Sequence, residues 1–309
     1  MGEVFSFNSL ASLYAMDKMK RAVVTGATSL IGYFLLPKLT AANCSVTAIS
    51  RNPDMSKSLP AGSKWCAADI GVSTLSEERP YTLIHLAPLW LLPDLLQRSS
   101  ACMPERVIAF SSTSRISKAS SSNRYERGIS EKLALAEDKI ERLAEKRAIP
   151  WTIFRPTLIY GAGLDKNIST IARFIQRFGF FPLIGAATGK RMPVHAEDLA
   201  VACLSSQPLK VSYNKTYNLT GGEALSYQEM VERIFDALGK EPRYLHIPRW
   251  SLRWLLSALS LVPKYGHLTP EMASRMKHDL VFNASDARSD FDYCPRKFSP
   301  TKSDFISSR

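Results

Sequence analysis

With 309 residues, 45% of them hydrophobic and 22% charged, the chain has the composition of an ordinary globular protein. That excludes wholesale disorder and allows a large α/β unit carrying a smaller appended part. The formal charge of +12 suits nucleic acid, an anionic membrane surface or phosphate-bearing ligands. There is no zinc-ligand spacing, basic helix or aromatic-basic strand pattern, which argues against nucleic acid and a metal site and favours phosphate ligands. The five cysteines, Cys44, Cys66, Cys102, Cys203 and Cys294, stand singly with no Cys-x-x-Cys pair, so free thiols in a reducing, cytoplasmic setting are expected.

Residues 1–18 contain Glu3 and Asp17 and lack a basic start followed by a long apolar run, so they read as a loose leader rather than a secretory signal. Met16 and Met19 sit just before the first strand. Residues 21–32, Arg-Ala-Val-Val-Thr-Gly-Ala-Thr-Ser-Leu-Ile-Gly, read as a buried strand, a glycine turn and a helix whose apolar spacing continues to residue 39. Strands are predicted at 45–50, 64–67, 82–86 and 107–111, with a helix at 93–101 between the last two. This alternation predicts a parallel sheet covered on both faces.

A long helix is predicted from near Ser130 to just before Pro150, turning Leu133, Ala136, Ile140 and Leu143 toward the sheet. A strand at 151–155 follows, then a Pro/Gly-punctuated stretch to Gly163 where the chain leaves the regular alternation. Residues 19–163 are therefore expected to form a dinucleotide-binding domain. Residues 164–309 are expected to form mainly a smaller substrate-binding part interleaved with it. Helices at 168–178, 198–205 and 226–238 and an extended piece at 216–220 belong there, with Asp198 as an N-cap. Residues 247–262 combine Arg249, Trp250, Arg253 and Trp254 with many leucines. They read either as an amphipathic helix giving peripheral membrane contact, or as a core or homodimer contact between Pro248 and Pro263.

A strand that ends in a glycine turn and feeds a helix exposes N–H groups at the positive end of the helix dipole, where a pyrophosphate binds. In Gly26-x-x-Ser29-x-x-Gly32, Gly26 permits the tight turn and Gly32 lets the helix approach the strand, while Ser29 holds the place of a middle glycine. Thr28, Ser29, Leu30 and Ile31 complete this phosphate turn. Where an NAD site places an acid after the second strand, this chain has Ser50-Arg51-Asn52-Pro53, and Arg51 favours NADP through its 2′-phosphate. Asp69-Ile70 and His85-Leu86-Ala87 end the third and fourth strands, placed to meet adenine and ribose, with His85 itself read as packing or as a residue one layer behind the ligand.

Taken in order, the motifs at 25–32, 69–70, 85–87, Ser111-Ser112-Thr113, 155–161 (Arg-Pro-Thr-Leu-Ile-Tyr-Gly) and 193–200 (Pro-Val-His-Ala-Glu-Asp-Leu-Ala) resemble the extended and atypical short-chain dehydrogenase/reductases of the NAD-dependent epimerase/dehydratase type. The resemblance runs from about residue 21 to 298. It implies a Rossmann-type doubly wound parallel sheet with a smaller C-terminal substrate-binding part. It also implies that Pro156 and Thr157 lie beside the nicotinamide, that Ser111 and Lys132 contact the cofactor, and that Arg191 and Arg275 grip a substrate diphosphate. Two converging guanidinium groups suit a pyrophosphate through charge-assisted, bidentate hydrogen bonds.

Catalysis in that family uses Ser/Thr, Tyr and Lys, with Tyr four residues before Lys. The lysine lowers the tyrosine's pKa so that the phenolate serves as base. Lys132 fits, and Ser112 or Thr113 can orient a substrate hydroxyl, but position 128 is glycine. The nearest phenol, Tyr125, lies about 10 Å from Lys132 along a continuous helix and reaches it only if residues 127–128 form a loop. The expected activity is an NAD(P)-dependent, epimerase/dehydratase-like oxidoreduction of a nucleotide-sugar or related diphosphate-bearing small molecule. The alternative is a cofactor-binding regulatory or structural protein with little turnover.

Overall fold

A computed structural model describes residues 20–53, 59, 62–99, 103–247 and 276–306. The chain divides into two compact units. The first contains residues up to Pro156, Ala196–Leu219 and Ala284–Cys294, and the second contains Thr157–His195, Thr220–Asn283 and the segment from Pro295 onward. The first division therefore falls at Pro156 rather than at residue 163.

The first unit is built on seven strands: β1 (Arg21–Thr25), β2 (Ser45–Ser50), β3 (Lys64–Ala67), β4 (Thr82–His85), β5 (Arg106–Phe110), β6 (Trp151–Pro156) and, after an excursion, a strand at Lys215–Leu219. Their order is β3-β2-β1-β4-β5-β6 followed by the 215–219 strand, and every pairing is parallel. Strands β4 and β5 are buried along their whole length, as the near-continuous apolar runs of a doubly covered sheet require. Strand order reverses between β1 and β4, and a ligand crevice opens outside the carboxyl ends of the strands at such a switch point.

Helices α1 (Leu30–Ala41), α2 (Leu92–Arg98), α3 (Ser114–Ser117) and α4 (Arg124–Lys146) follow β1, β4 and β5. Helix α4 starts six residues before Ser130, because Asn123 caps it by accepting from the N–H groups of Tyr125 (2.9 Å) and Glu126 (3.3 Å). Leu133, Ala136, Ile140 and Ala144 pack into one core with Val107, Ala109 and Ile153 of the sheet. Ala144 takes the innermost place expected of Leu143, which is only half-buried.

In the second unit, α5 (Ile168–Phe178) buries Ile168, Ile171, Ala172 and Ile175 against Met230, Val231, Ile234 and Phe235. Those four belong to a helix at Tyr227–Ala237, whose N-terminus is closed by a capping box between Ser226 and Glu229. Among the described residues the unit also has short ladders: Ile159–Tyr160 with Val194–His195, Lys190–Arg191 with Leu225–Ser226, and Phe181–Ile184 with Tyr244–Ile247. The helix at Ala196–Ser206 belongs to the first unit and begins two residues before Asp198. Asp198 is thus a first-turn residue rather than the cap. Among the described residues no helix is long and apolar enough to cross a membrane. The leader at 1–18, Cys102, Arg275 and residues 248–262 lie outside the described residues.

Candidate functional site

The turn after β1 is held from three sides by main chain. Ala27 N–H donates to the Ile49 carbonyl of β2 (3.1 Å), Leu86 N–H donates to the Thr25 carbonyl (2.9 Å), and Ser29 N–H closes the turn on the Gly26 carbonyl (2.9 Å). Gly26 sits at φ +68°, and a Cβ there would stand 2.6 Å from the Ala87 nitrogen, so this position admits only glycine without a shift of backbone. Gly32 is held by close approach alone, since a Cβ would lie 2.2 Å from the Ala27 carbonyl oxygen.

Ser29 caps α1, its hydroxyl accepting from Gly32 N–H at 3.2 Å. That leaves the N–H groups of Leu30 and Ile31 at the open end of the helix. The first turn of α1 carries no acidic side chain to compete with an anion there. Thr28 Oγ1 meets Ser50 Oγ at 2.8 Å and ties the turn to the end of β2, where Arg51 stands exposed. Asp69 is exposed after β3 and accepts from Gly71 N–H at 2.8 Å, while Ile70 is buried. These groups line one carboxyl edge, and their donors fit a dinucleotide phosphate with a further anionic group near Arg51.

His85 is wholly buried at the end of β4, with Thr25 Oγ1 at 2.8 Å from Nδ1 and the Pro88 carbonyl oxygen at 3.2 Å from Nε2. Burial pushes its pKa down to about 4 against a smaller opposing effect of the Pro88 hydrogen bond, so the ring is neutral. A neutral ring accepts the threonine proton at Nδ1 and donates from Nε2 to Pro88. His85 is a structural pin between β1 and β4.

After β5, Ser111 donates to Glu137 Oε1 at 2.5 Å. Ser112 is half-buried, and its oxygen accepts from Ser114 N–H at 3.1 Å, which leaves its proton to be given elsewhere. Thr113 is buried, and both its N–H and its hydroxyl donate to the Pro156 carbonyl at 3.1 Å. Of the two hydroxyls read as substrate-orienting, Ser112 is therefore the one with a proton to offer.

The NAD dependent epimerase/dehydratase profile matches residues 22–219. The chain belongs to the NAD-dependent epimerase/dehydratase family. It is 35% identical over 100 residues to the mitochondrial NADH dehydrogenase [ubiquinone] 1 alpha subcomplex subunit 9 of Arabidopsis thaliana, a match covering 31% of this chain and 24% of the plant subunit. The matched stretch thus spans about a quarter of that relative's length. Among solved structures, the epimerase Mth375 of Methanothermobacter thermautotrophicus superposes with a TM-score of 0.70 at 16% identity, over 96% of this chain and 93% of its own. UDP-glucuronic acid 4-epimerase of Bacillus cereus, in complex with UDP-glucuronic acid and NAD, gives 0.68 at 15% identity over 89% and 94%. At such identities the likeness speaks for the fold.

Four residues before Lys132, where the resemblance expects a tyrosine, α4 carries Gly128. Helix α4 runs unbroken through Gly128, so the loop that would let Tyr125 fold back toward Lys132 is not formed. Tyr125 is 77% exposed in the first turn. Lys132 is exposed too, with its ammonium 6.0 Å from the centre of the Trp90 ring. The side chains that α4 buries are Glu126, Ser130, Leu133, Ala136, Glu137, Ile140 and Ala144. Glu126 accepts from Ser121 Oγ (2.8 Å), and Ser130 donates to the Arg115 carbonyl (2.5 Å), so the serine-rich segment after β5 is fastened to the start of α4.

In the second unit, Thr157 donates to the Met192 carbonyl. Arg191 is 5% exposed and no surface charge; its Nη1 donates to the carbonyls of Lys190 and His278, both at 2.7 Å. Sequence reasoning missed Glu137, which is 2% exposed and faces Ser111, Arg115 and Arg155. A carboxylate five residues after Lys132, on the same stripe as Leu133 and Ile140, was the signal.

Proposed function

We propose that this chain binds NADP(H) across the carboxyl edge of its seven-stranded sheet and uses it in the oxidoreduction of a diphosphate-bearing small molecule, a nucleotide-linked sugar foremost. The observation that carries this reading is the Gly26–Gly32 turn, pinned against β2 and β4 with the open end of α1 beside Arg51. Leu30 and Ile31 N–H would hold the pyrophosphate, Arg51 the 2′-phosphate, and Asp69, Leu86 and Ala87 the adenosine half. When bound, the nicotinamide would supply a hydride donor or acceptor. Ser112 would give its proton to a substrate oxygen, and Lys132 would add a positive charge at the same edge. Arg191 and Arg275 are assigned to the diphosphate, and the nucleotide-sugar class draws support from the UDP-glucuronic acid 4-epimerase of like fold.

Titration of the purified protein with NADPH and NADH, followed by nicotinamide fluorescence, tests the cofactor. NADPH is expected to bind more tightly, with Arg51→Ala narrowing the gap, and failure to bind either nucleotide would sink the proposal. Incubation with UDP-sugars and NADP then tests turnover. Lys132→Ala is expected to lower any turnover, and if Tyr125→Phe leaves it intact, the phenol has no part in it.

A second reading, a cofactor-bearing structural or regulatory subunit with little or no turnover, is favoured by Gly128, which stands four residues before Lys132 on an unbroken α4 where a catalytic tyrosine would be needed. The similarity to a subunit of a plant NADH dehydrogenase supports it as well. Tight NADPH binding with no turnover on any UDP-sugar would select it.

A further inference from the structure

Glu137 is a charge where the stripe of α4 calls for an apolar residue. An isolated buried carboxylate is costly, so its partners must repay the loss of water. They come from three different elements. Ser111 Oγ at the end of β5 donates to Oε1 (2.5 Å). Arg155 of β6 grips both oxygens, through Nε to Oε1 (3.0 Å) and Nη2 to Oε2. Arg115 of α3 brings Nε within 2.7 Å of Oε2, at an angle that makes it an ion pair rather than a hydrogen bond.

Two of the fastened residues, Ser111 and Arg155, adjoin the rim of the sheet. Ser111 precedes Ser112, Arg155 precedes Pro156, and the Pro156 carbonyl takes both donors of Thr113. One carboxylate thus sets the spacing of the β5 and β6 ends against α4.

Strand order gives this corner its role. Arg51 and Asp69 follow β2 and β3 on one side of the switch point, and β5 and β6 lie on the other. From β2 to β5 is three strand spacings, about 14 Å. A dinucleotide whose adenosine half rests by Arg51 and whose pyrophosphate rests on α1 must extend its other half over the ends of β4, β5 and β6. We infer that Glu137 is a positioning residue for the nicotinamide half of the cofactor, acting through Ser111 and Arg155 on the Ser112 and Pro156 main chain. This rests on the proposed NADP(H) site.

The test compares two ligands, NADPH and its adenosine half 2′,5′-ADP, on the full-length protein by calorimetry. Glu137→Gln keeps the shape and removes the charge. It is expected to weaken NADPH about tenfold, the size of one lost charge-assisted hydrogen bond, while 2′,5′-ADP binds as in the parent. Ser111→Ala, which leaves the ion pairs in place, is expected to show the same split at smaller size and serves if the first variant does not fold. Equal weakening of both ligands would mean that the network only supports the fold, and unchanged NADPH affinity would mean it positions nothing; either result overturns the inference. If the parent protein binds neither ligand, the cofactor site itself is wrong and the inference falls with it.

Discussion

His85 is wholly buried with two fixed neighbours, Thr25 and Pro88, which gives a measurable consequence. An unfolded histidine takes up its proton near pH 6.5, whereas the folded one does so only near 4. Between those values the unfolded state binds more protons, so stability is full above the unfolded pKa and is lost as pH falls through the folded one. The loss at this site alone should approach about 3 kcal/mol. Urea unfolding from neutral pH to about pH 4 should therefore fall less steeply in His85→Gln than in the parent, and equal slopes would refute a neutral buried ring. Gly26→Ala should cost at least about 2 kcal/mol, from a left-handed backbone and contact with Ala87, and should lower NADPH affinity in the same titration. Gly26 and Gly32 were legible in the sequence because backbone conformation and close approach dictate residue type in a strand–turn–helix corner. For Glu137 the stripe of α4 signalled burial but not its role, since its partners Ser111, Arg115 and Arg155 are close only after folding.

Helix α4 shows what periodicity conveys and where it stops. Of the predicted sheet-facing stripe, Leu133, Ala136 and Ile140 are buried, whereas Leu143 is half-buried and Ala144 takes its place. The start was misjudged because Gly128 has poor helix propensity, whereas the Asn123 cap and the fastening of the serine-rich segment by Glu126 and Ser130 outweigh it. The strands of the sheet were legible as apolar runs, but a ladder as short as Lys190–Arg191 with Leu225–Ser226 carries no period to read. Gly128 also makes a direct test of the helix. A Cβ there would meet nothing within 4 Å. Gly128→Ala should therefore raise stability by about 0.5–1 kcal/mol, read as a higher urea midpoint with an unchanged slope, and should leave NADPH affinity as it was. A lower midpoint would mean that the helix is not continuous through residue 128.

Across the whole molecule, 40 lysines and arginines face 28 aspartates and glutamates, and that excess acts on any anion that approaches. NADPH differs from NADH by a 2′-phosphate carrying about −1.5 to −2 charges near neutral pH, if it titrates like other phosphomonoesters. On the proposed NADP(H) site, two contributions would favour it, the exposed guanidinium of Arg51 at short range and the net positive field at long range. They separate by salt, because the screening length shrinks from about 30 Å at 0.01 M to about 10 Å at 0.1 M. Raising salt across that range should weaken NADPH binding more than NADH binding, so the preference narrows. In Arg51→Ala the preference should start smaller yet still decline with salt, since the long-range field is intact. A preference that does not change with salt in either protein would confine the selectivity to direct contacts, and one that survives Arg51→Ala undiminished would remove Arg51 from the site.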